Sequence, residues 1–575
     1  MLRRIFSYMK EYKKYAWLAL ICIGVEVVLE IMVPKLMADL IDIGVTNSDV
    51  PYIINKGIQM AVCAVAALIL GVGSARFSAL AGQGLGANIR KAEYEKLQSY
   101  SFSNIDHFSV SSLVTRLTSD VTNIQNAVST GMRPFGRSPV MLIFATTLAF
   151  QINSTLALVF LVALPVLAVL LIIIIINVGP RYGRMQGAVD LVNRCIEENL
   201  TAVRVVKSYV RGDYEIEKFG HVNDNLKNES EKAFGIAVLN MPAMQFVMYS
   251  TILGILLIGG RLINSGQMMI GQLTSFLSYV LLILNSLMMM SNVFLLMTRS
   301  LASAERIMKV IDEPIDITDE NAKDIEVKKG EIEFNHVWFK YKDTAKEYVL
   351  SDVSFHINAG QTVGIIGQTG SSKTTLIQLI PRLYDASKGE IKIDGINVKE
   401  YPVRHLRDAI SVVLQKNTLF SGSLIDNLRW GDENATLDEI KEACSIACVD
   451  EFIDRLPGGL DAEMGQEGVN VSGGQKQRIC IARAILKKPK VLILDDSTSA
   501  VDTATEGKIR NALAKKLPDM TKIIIAQRIS SVCHADQIII MDGGCVNAIG
   551  THESLLKTNK IYQEIYESQK EGADL

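Results

Sequence analysis

A glycine-rich loop in the second half of the chain carries the residue types most suited to chemistry. The run TVGIIG (362–367) is typical of a strand, and the apolar stretch after Thr375 is typical of a helix. Lys373 and Thr374 lie between them. A strand, a glycine-rich loop, Lys-Thr and a helix form a phosphate-binding arrangement, in which backbone N–H groups and the helix N-terminus hold the anion. Lys373 would supply a point charge, and the Thr374 hydroxyl would bind Mg²⁺. The residues assigned to the loop are Gly367, Gln368, Thr369, Gly370, Ser371, Ser372, Lys373, Thr374 and Thr375.

Further motifs follow the loop along the chain. Gln415 lies in SVVLQKNTLF, and the sequence VSGGQ occupies residues 471–475. Asp495 ends the apolar run VLILD with Asp496 directly after it, and Gln527 follows the run IIIA. Apolar runs that alternate with helical patterns predict an α/β domain with a largely parallel sheet.

The order and spacing of these motifs resemble the ATP-binding cassette (ABC) family, whose signature motif is close to VSGGQ. The resemblance extends over the whole chain. The stretches FSVSSLVTRLTSDV (108–121) and EENLTAVRVVKSYVRGDYEIEKF (197–219) resemble the two coupling segments of ABC exporters. Membership of this family implies ATP and Mg²⁺ as cofactors.

The resemblance also implies a role for each matching position. Tyr341 would stack on adenine, although a core aromatic is the alternative. Asp495 would hold Mg²⁺ together with Thr374, and Gln415 would line the metal and sense the γ-phosphate. Two nucleotide domains of this family enclose two ATP molecules, so the signature of one chain completes the site of the other. The signature residues expected to contact the ATP of the partner's site are Ser472, Gly473, Gly474 and Gln475.

Three departures from the family pattern belong to the same nucleotide site, and a fourth, Gln466 in place of glutamate in the loop before the signature, carries little weight. Ser372 replaces the glycine before the lysine, Asp496 replaces the glutamate that acts as general base, and Gln527 replaces the switch histidine. Aspartate is one methylene shorter, which moves its carboxylate back by about 1.5 Å, and a misplacement of about 1 Å can already cost about 10²-fold in rate. The amide of glutamine offers no protonatable group. We therefore expect Asp496 and Gln527 to form a degenerate catalytic pair.

The signature motif, which serves the other site, is intact. Damage confined to one site predicts a heterodimer, in which this chain pairs with a second ABC half-transporter subunit and lends its signature to the partner's active site. A homodimer with two slow sites is the alternative.

Six stretches of the first half are apolar and long enough to span a bilayer, for which about 20 residues are needed. They lie near residues 15–43, 57–85, 138–152 with the preceding turn, 154–178, 236–264 and 268–298. The two long polar segments between them carry most of the Lys and Arg, among them Arg133, which predicts that these segments and both termini are cytoplasmic. The basic N-terminus is typical of a helix that lies on the membrane surface and not of a signal peptide.

The predicted fold is multi-domain, with a six-helix all-α transmembrane domain followed by an α/β P-loop ATP-binding cassette domain. The transmembrane domain would comprise residues 1–312, an acidic linker residues 313–329, and the nucleotide-binding domain residues 330–575. A formal net charge of −2 gives no indication of nucleic-acid binding. The eight cysteines are scattered without a CxxC pair, which indicates free thiols in a reducing compartment.

The membrane half offers weaker signals about cargo. Glu26 and Glu30 are four residues apart and share a helix face. Acids at membrane depth usually face a cavity and would attract cationic cargo, whereas a salt bridge or pairing with the partner subunit is the alternative. Methionines and amides in the last two spans suit a pocket for varied shapes, although plain packing is the alternative. The candidate substrate residues are Glu26, Glu30, Gln245, Tyr249, Asn285 and Met289.

Together these features predict an ATP-hydrolysing translocase of the plasma membrane that exports small hydrophobic or cationic drugs. The chain would be a multi-pass protein embedded in the lipid bilayer, with its nucleotide-binding domain in the cytoplasm. Alternatives within transport are a lipid exporter, a peptide exporter and an importer that shares the exporter fold. An alternative of another class is a regulator that binds ATP without transport, which the two coupling segments disfavour.

Overall fold

The computed structural model describes residues 1–320, 322–342, 344–496 and 501–571. The chain folds as two compact units. The helical unit comprises Met1–Gln98 and Val110–Glu313. The α/β unit comprises Ser99–Ser109 and Pro314–Leu575. A short stretch from the first half of the chain therefore belongs to the α/β unit, and the main boundary follows Glu313.

Helices account for most of the first half of the chain, and a π-helical segment, Leu40–Val45, extends the second of them. All of these helices except α4 belong to the helical unit. They are α1 (Leu2–Ser7), α2 (Lys13–Asp39), α3 (Val50–Gln98), α4 (Phe102–His107), α5 (Val110–Thr115), α6 (Val121–Ser129), α7 (Met132–Ile152), α8 (Ser154–Thr201), α9 (Val203–Ser208), α10 (Gly212–Ala237), α11 (Asn240–Asn264) and α12 (Ile270–Asp312).

Five helical segments of the described residues are long and apolar enough to cross a membrane. They are Lys10–Val45, Val50–Gln98, Val110–Ile152, Gly212–Asn264 and Ile270–Met290. Each contains or overlaps one of the spans predicted from the sequence. The remaining predicted span, 154–178, lies in α8 and runs over several positions whose side chains are outside the described residues.

Helices α2, α7 and α12 pack around an apolar core in the helical unit. Ile23 and Val27 of α2, Met141 of α7 and Tyr279 of α12 are almost completely buried there. The Tyr279 hydroxyl donates to the backbone carbonyl of Ile31 at 3.0 Å, which satisfies the one polar atom of this buried ring. The three helices are thereby held in contact around residues 23–31.

The α/β unit combines a four-stranded antiparallel sheet, ordered β2-β1-β4-β5, with a six-stranded sheet, ordered β12-β11-β3-β10-β9-β6. A short third sheet pairs β7 with β8. The strands are β1 (Ile332–Phe339), β2 (Leu350–Ile357), β3 (Thr362–Ile366), β4 (Lys388–Ile393), β5 (Ile396–Asn397), β6 (Ile410–Val413), β7 (Gly422–Ser423), β8 (Glu463–Met464), β9 (Val491–Asp495), β10 (Thr521–Ile525), β11 (Gln537–Asp542) and β12 (Cys545–Gly550).

Helices surround these sheets, and α18 and α19, on either side of β9 in the chain, are the longest of the described ones at 14 residues each. The helices are α13 (Lys373–Leu379), α14 (Val403–Asp408), α15 (Leu424–Arg429), α16 (Leu437–Ile446), α17 (Asp450–Ile453), α18 (Gly473–Leu486), α19 (Thr503–Lys516), α20 (Ile529–Val532), α21 (His552–Thr558) and α22 (Lys560–Glu571).

The six-stranded sheet places the predicted motifs side by side. Its strands β6, β9, β10, β3 and β11 are parallel, and β9 and β10 are buried along their whole length. Ile525 pairs with both Asp495 and Ile365, so β10, β9 and β3 end at the same level. Because the carboxyl ends of parallel strands meet at one edge, the residues that follow them converge there. The predicted fold class, a helical domain followed by an α/β domain, is confirmed.

Candidate functional site

A cavity of about 330 Å³ lies at the carboxyl edge of the six-stranded sheet. The phosphate loop forms one wall, and residues at the ends of β6, β9 and β10 form the other. Most residues that the sequence assigned to the nucleotide line this cavity together. The lining residues are Thr369, Gly370, Ser371, Ser372, Lys373, Thr374, Thr375, Gln415, Asp495, Asp496, Ile525 and Gln527.

Lys373 holds the phosphate loop together through hydrogen bonds to three of its residues. The Lys373 ammonium donates to the carbonyls of Gly367 and Gln368, both at 2.8 Å, and to the Ser371 hydroxyl at 3.2 Å. Burial lowers the pKa of Lys373, against the opposing effect of two neighbouring carboxylates. A Cβ atom at Gly367 would collide with the Met541 carbonyl, so this position requires glycine.

Ser372 caps the helix that follows the loop in an unusual conformation. Its φ angle is +67°, in the left-handed region that an L-residue enters only at a cost of about 1–2 kcal/mol. Glycine, which is usual in the family at this position, adopts such an angle without penalty. The sequence departure at Ser372 therefore falls where the backbone favours glycine.

The residues present fit a magnesium ion. Asp495 is 2% exposed, and its Oδ1 accepts a hydrogen bond from the Thr374 hydroxyl at 3.2 Å. Its Oδ2 is also buried but has no hydrogen-bond partner within the described chain. Buried polar oxygens need a partner, and Mg²⁺ prefers carboxylate and hydroxyl oxygens. Asp495 and Thr374 would hold the ion, which when bound neutralises phosphate charge.

Two amides hold the side chain at the position of the general base. Gln527 donates from its Nε2 atom to Asp496 Oδ2 at 3.0 Å, and Gln415 donates to the same oxygen at 3.4 Å. Burial raises the pKa of the Asp496 carboxyl, and the nearby Lys373 opposes this effect. Asp496 also has a positive φ angle, +46°. Gln415, Asp496 and Gln527 thus lie together, and no histidine is among the described residues that line the cavity; their roles in catalysis stay predictions.

Tyr341 lies beside the phosphate loop without lining the cavity. Its hydroxyl is 2.9 Å from the Thr375 hydroxyl, and its ring packs edge-on against Phe339 and Tyr384. The residue remains 43% exposed, which leaves ring surface for stacking on a base. Its role in adenine binding stays a prediction.

The signature residues lie at the start of α18, away from the phosphate loop in sequence, and their contact with ATP stays a prediction. The Ser472 hydroxyl accepts from the Gln475 N–H at 3.3 Å, and the Gln475 side chain accepts from the Ser472 N–H at 2.8 Å. This is a complete capping box, and the N-terminus of the helix attracts negative charge. Among the described residues that line the 330 Å³ cavity, none comes from the signature.

The sequence-based interpretation missed one group of contacts in the α/β unit. The Tyr384 hydroxyl donates to Asp106 in α4 at 2.7 Å, and its ring contacts Phe102. Burial raises the pKa of Tyr384, and its bond to Asp106 acts in the same direction. The stretch of this unit from the first half of the chain, Ser99–Ser109, shares only residues 108 and 109 with the coupling segment predicted at 108–121. The aromatic and acidic residues just before that prediction were the available signal.

The acids of α2 are paired with arginines of α7. Glu26 Oε1 lies 2.6 Å from an Arg133 nitrogen and 3.2 Å from an Arg137 nitrogen, and Glu30 Oε2 lies 2.5 Å from Arg137. Arg133, which the charge pattern of the sequence placed in a cytoplasmic segment, thus faces Glu26 inside the helical unit. The spacing of four residues between the arginines matches that between the acids and could have indicated the pairing.

Glu26, Glu30 and Arg133 line a cavity of about 740 Å³ in the helical unit. Glu26 is 3% exposed, and its Oε2 atom has no hydrogen-bond partner within the described chain. The walls are otherwise apolar or small, with Ser278 as the exception. Further lining residues are Val33, Pro34, Ala64, Ala67, Leu68, Gly71, Val72, Ala75, Leu281 and Leu282.

The remaining candidate substrate residues divide into two pairs. Gln245 and Asn285 line a smaller cavity of about 140 Å³, whose walls include several methionines. Tyr249 and Met289 are exposed, at 58% and 47%, and are not among the described residues that line this cavity. The structure therefore brings Gln245 and Asn285 together but leaves Tyr249 and Met289 outside that cavity.

Comparison with known proteins agrees with the motifs. Residues 16–287 match the family model for the ABC transporter transmembrane region, and residues 350–499 match the model for the ABC transporter domain. An uncharacterized ABC transporter ATP-binding protein of Bacillus subtilis is 37% identical over the full length of both chains.

Two further relatives carry names that describe a cargo. A putative multidrug export ATP-binding/permease protein of Bacillus subtilis is 31% identical, over 84% of this chain and 83% of the relative. An ATP-dependent lipid A-core flippase of Pseudomonas putida is 32% identical, over 98% of this chain and 95% of the relative.

The fold agrees with a solved structure of a bacterial Atm1-family ABC exporter with ATP bound. The TM-score is 0.83 at 22% identity, and the match covers 97% of this chain and 99% of the other. The chain is a membrane protein whose cytoplasmic domain binds ATP with Mg²⁺. It belongs to the ABC transporter family and has the half-transporter architecture of an ABC exporter.

Proposed function

We propose that this chain is the subunit with the degenerate ATP site in a heterodimeric exporter of hydrophobic and cationic compounds. The observation that carries the proposal is the cluster around Asp496, whose short carboxylate accepts from Gln415 and Gln527 on one oxygen. A general base must reach the proton that it removes. Asp496 is a methylene shorter than glutamate, and its neighbour Gln527 cannot carry a proton for it.

The other components of the nucleotide site support binding. Lys373, Thr374 and Asp495 retain the chemistry for phosphate and Mg²⁺, and the buried Oδ2 of Asp495 suits a metal. A site that binds ATP but lacks an effective base would hydrolyse the nucleotide slowly and keep it bound for a long time. The intact signature would meanwhile complete the active site of the partner subunit.

The 740 Å³ cavity supports export of amphipathic compounds, because it joins a largely apolar wall to charged groups. A cation could be attracted by Glu26, whose Oε2 atom is unpaired within the described chain. The relative with a multidrug export name is consistent with such cargo.

A lipid exporter is the second candidate. Glu26 and Glu30 face Arg133 and Arg137, so the cluster carries no formal net charge. A neutral cluster attracts a simple cation less strongly than an isolated acid would. Because it presents charges of both signs, it also suits a charged lipid head group. The relative with a flippase name is consistent with this alternative.

The experiment that tests the degenerate site is ATP binding and steady-state ATPase of the full-length chain purified alone in lipid nanodiscs. We expect ATP binding in the presence of Mg²⁺ with very slow turnover. Addition of the true partner subunit should restore turnover, since the partner would supply a well-placed base. Robust ATP turnover by a verified homodimer would contradict the proposal.

Cargo is tested by a Glu26→Gln variant, assembled with the partner subunit in proteoliposomes that are offered a cationic dye, a neutral dye and a fluorescent phospholipid. Loss of a charged partner is worth about 1.5–3 kcal/mol, so cationic transport should fall about tenfold while neutral transport persists. Glu305→Gln, on an exposed face of α12, is the matched control. Equal loss for all three compounds would make Glu26 structural, and selective loss of the phospholipid would favour the lipid exporter.

A further inference from the structure

The C-terminal helix α22 contacts the backbone on both sides of Arg528, directly after the position of the switch residue. The Gln569 side chain donates from Nε2 to the carbonyl of Gln527 at 2.8 Å. Its Oε1 atom accepts from the N–H of Ile529, also at 2.8 Å. One amide therefore satisfies a backbone acceptor and a backbone donor of the same loop.

These two bonds restrain the segment from which the Gln527 side chain projects. Arg528 between them is extended, with φ −96° and ψ +131°, and Ile529 directly after it is 3% exposed. The loop continues into α20, where Arg510 of α19 donates to the Ser530 carbonyl at 3.0 Å. The backbone is thus held at Gln527, Ile529 and Ser530, while the Gln527 amide reaches Asp496 at 3.0 Å.

Helix α22 does not depend on Gln569 for its own attachment. Tyr562 of the same helix is fully buried, and its hydroxyl lies 2.7 Å from the His552 ring. Gln563 provides a second side-chain bond, donating to the Leu556 carbonyl at 2.6 Å. The described side-chain hydrogen bonds of Gln569, in contrast, join only the segment after β10, at Gln527 and Ile529.

We propose that Gln569 is a positioning residue for Gln527, and that the C-terminal helix thereby sets how well the nucleotide site distinguishes ATP from ADP. The proposal rests on the proposed function for the ATP site and adds that the Gln527 amide, a hydrogen-bond donor at the switch position, contacts the γ-phosphate. The amide of Gln569 fixes the direction in which the Gln527 side chain leaves the backbone. Without it, the Gln527 amide would sample other directions and would lose part of its contact with the γ-phosphate.

The test compares the affinities of the full-length chain for ATP and ADP, each with Mg²⁺, by competition with a fluorescent nucleotide. The ratio of the two affinities reports the contribution of the γ-phosphate to binding, because a general loss of folded protein would lower the apparent affinities for ATP and ADP equally. Gln569→Met removes both bonds and keeps the length of the side chain. Gln569→Glu keeps the acceptor for Ile529 but loses the donor to Gln527.

We expect Gln527→Ala to lower the preference for ATP about tenfold, as for the loss of one hydrogen bond to a charged group. Gln569→Met should lower it about three- to tenfold, and Gln569→Glu by an intermediate factor. Gln563→Met is the matched control, since it removes a side-chain bond of the same helix that does not lead to the switch loop. Its ratio should stay at the wild-type value.

Three outcomes would overturn the proposal. If Gln527→Ala lowers the ratio and Gln569→Met does not, Gln527 acts on the γ-phosphate without the help of α22, and the proposed function stands. If neither variant changes the ratio, Gln527 does not contact the γ-phosphate and this proposal fails, whereas the proposed function is decided separately by the ATPase of the chain purified alone. If Gln563→Met lowers the ratio as much as Gln569→Met, the effect belongs to the packing of the helix.

Discussion

The two helix N-termini that the family pattern assigns to nucleotides, those of α18 and α13, differ in how they are built. At α18, the signature serine Ser472 caps the helix from an extended conformation, with reciprocal bonds to Gln475. At α13, Ser372 occupies the cap position with a left-handed φ angle and no side-chain cap bond. The first arrangement satisfies one of the free N–H groups of the helix start, that of Gln475, without strain, whereas the second places an L-residue where glycine is favoured.

Two of the three sequence departures, Ser372 and Asp496, lie at backbone positions with unusual geometry. Asp496, like Ser372, has a positive φ angle. Aspartate tolerates this region better than most L-residues because its short side chain can bond locally. The site built on this chain's phosphate loop therefore differs from the signature in side-chain chemistry and in local strain, as we expect if only the signature serves rapid turnover.

The largest effect should follow from a change in the signature. In the heterodimer with its partner, Gly474→Val should reduce steady-state ATPase at least about 100-fold, because a side chain would block the close approach of the backbone to the γ-phosphate. Gly507→Val is the matched control, since a Cβ at Gly507 meets nothing within 4 Å. Turnover that survives in the Gly474 variant would show that this signature does not complete the active site.

A smaller effect is expected from the position of the general base. Asp496→Asn should lower the ATPase of the heterodimer by less than about twofold, since its site contributes little turnover. Replacement of the catalytic glutamate of the partner subunit by glutamine should abolish turnover, because that change removes the one well-placed base. Asp496→Glu should restore little, because Gln527 and Ser372 remain. Equal damage from the two removals would mean that both sites hydrolyse ATP.

The smallest effect concerns the stability of the phosphate loop. Ser372→Gly should relieve about 1–2 kcal/mol of backbone strain and cost about 0.5–1 kcal/mol in the entropy of the unfolded chain. The net gain of about 0.5–1 kcal/mol should raise the midpoint of thermal unfolding of the α/β unit by a few degrees. Ser445→Gly in α16, where glycine only weakens a helix, should lower that midpoint. A decrease for both variants would contradict the strain at Ser372.

Several features of the protein could be derived from the sequence because they depend on local order. The phosphate loop, the signature and the strand-end acids lie in runs whose pattern predicts their secondary structure. The parallel sheet then brings the ends of β9 and β10 to one edge, where Asp495, Asp496 and Gln527 meet the loop. Apolar length likewise predicts the membrane spans, since the bilayer sets the number of residues required.

Contacts that join distant segments were decided by the tertiary structure. The pairing of Glu26 with Arg133 depends on the rotation and depth at which α2 packs on α7, which periodicity does not specify. The membership of Ser99–Ser109 in the α/β unit depends on packing that no local pattern encodes. Gln569 acquires its two bonds because α22 returns to the loop after β10, 42 residues earlier in the chain. Local sequence order therefore sets the chemistry of each motif. Packing sets which distant side chains neutralise, support or orient one another, because these interactions require atoms within about 3–4 Å.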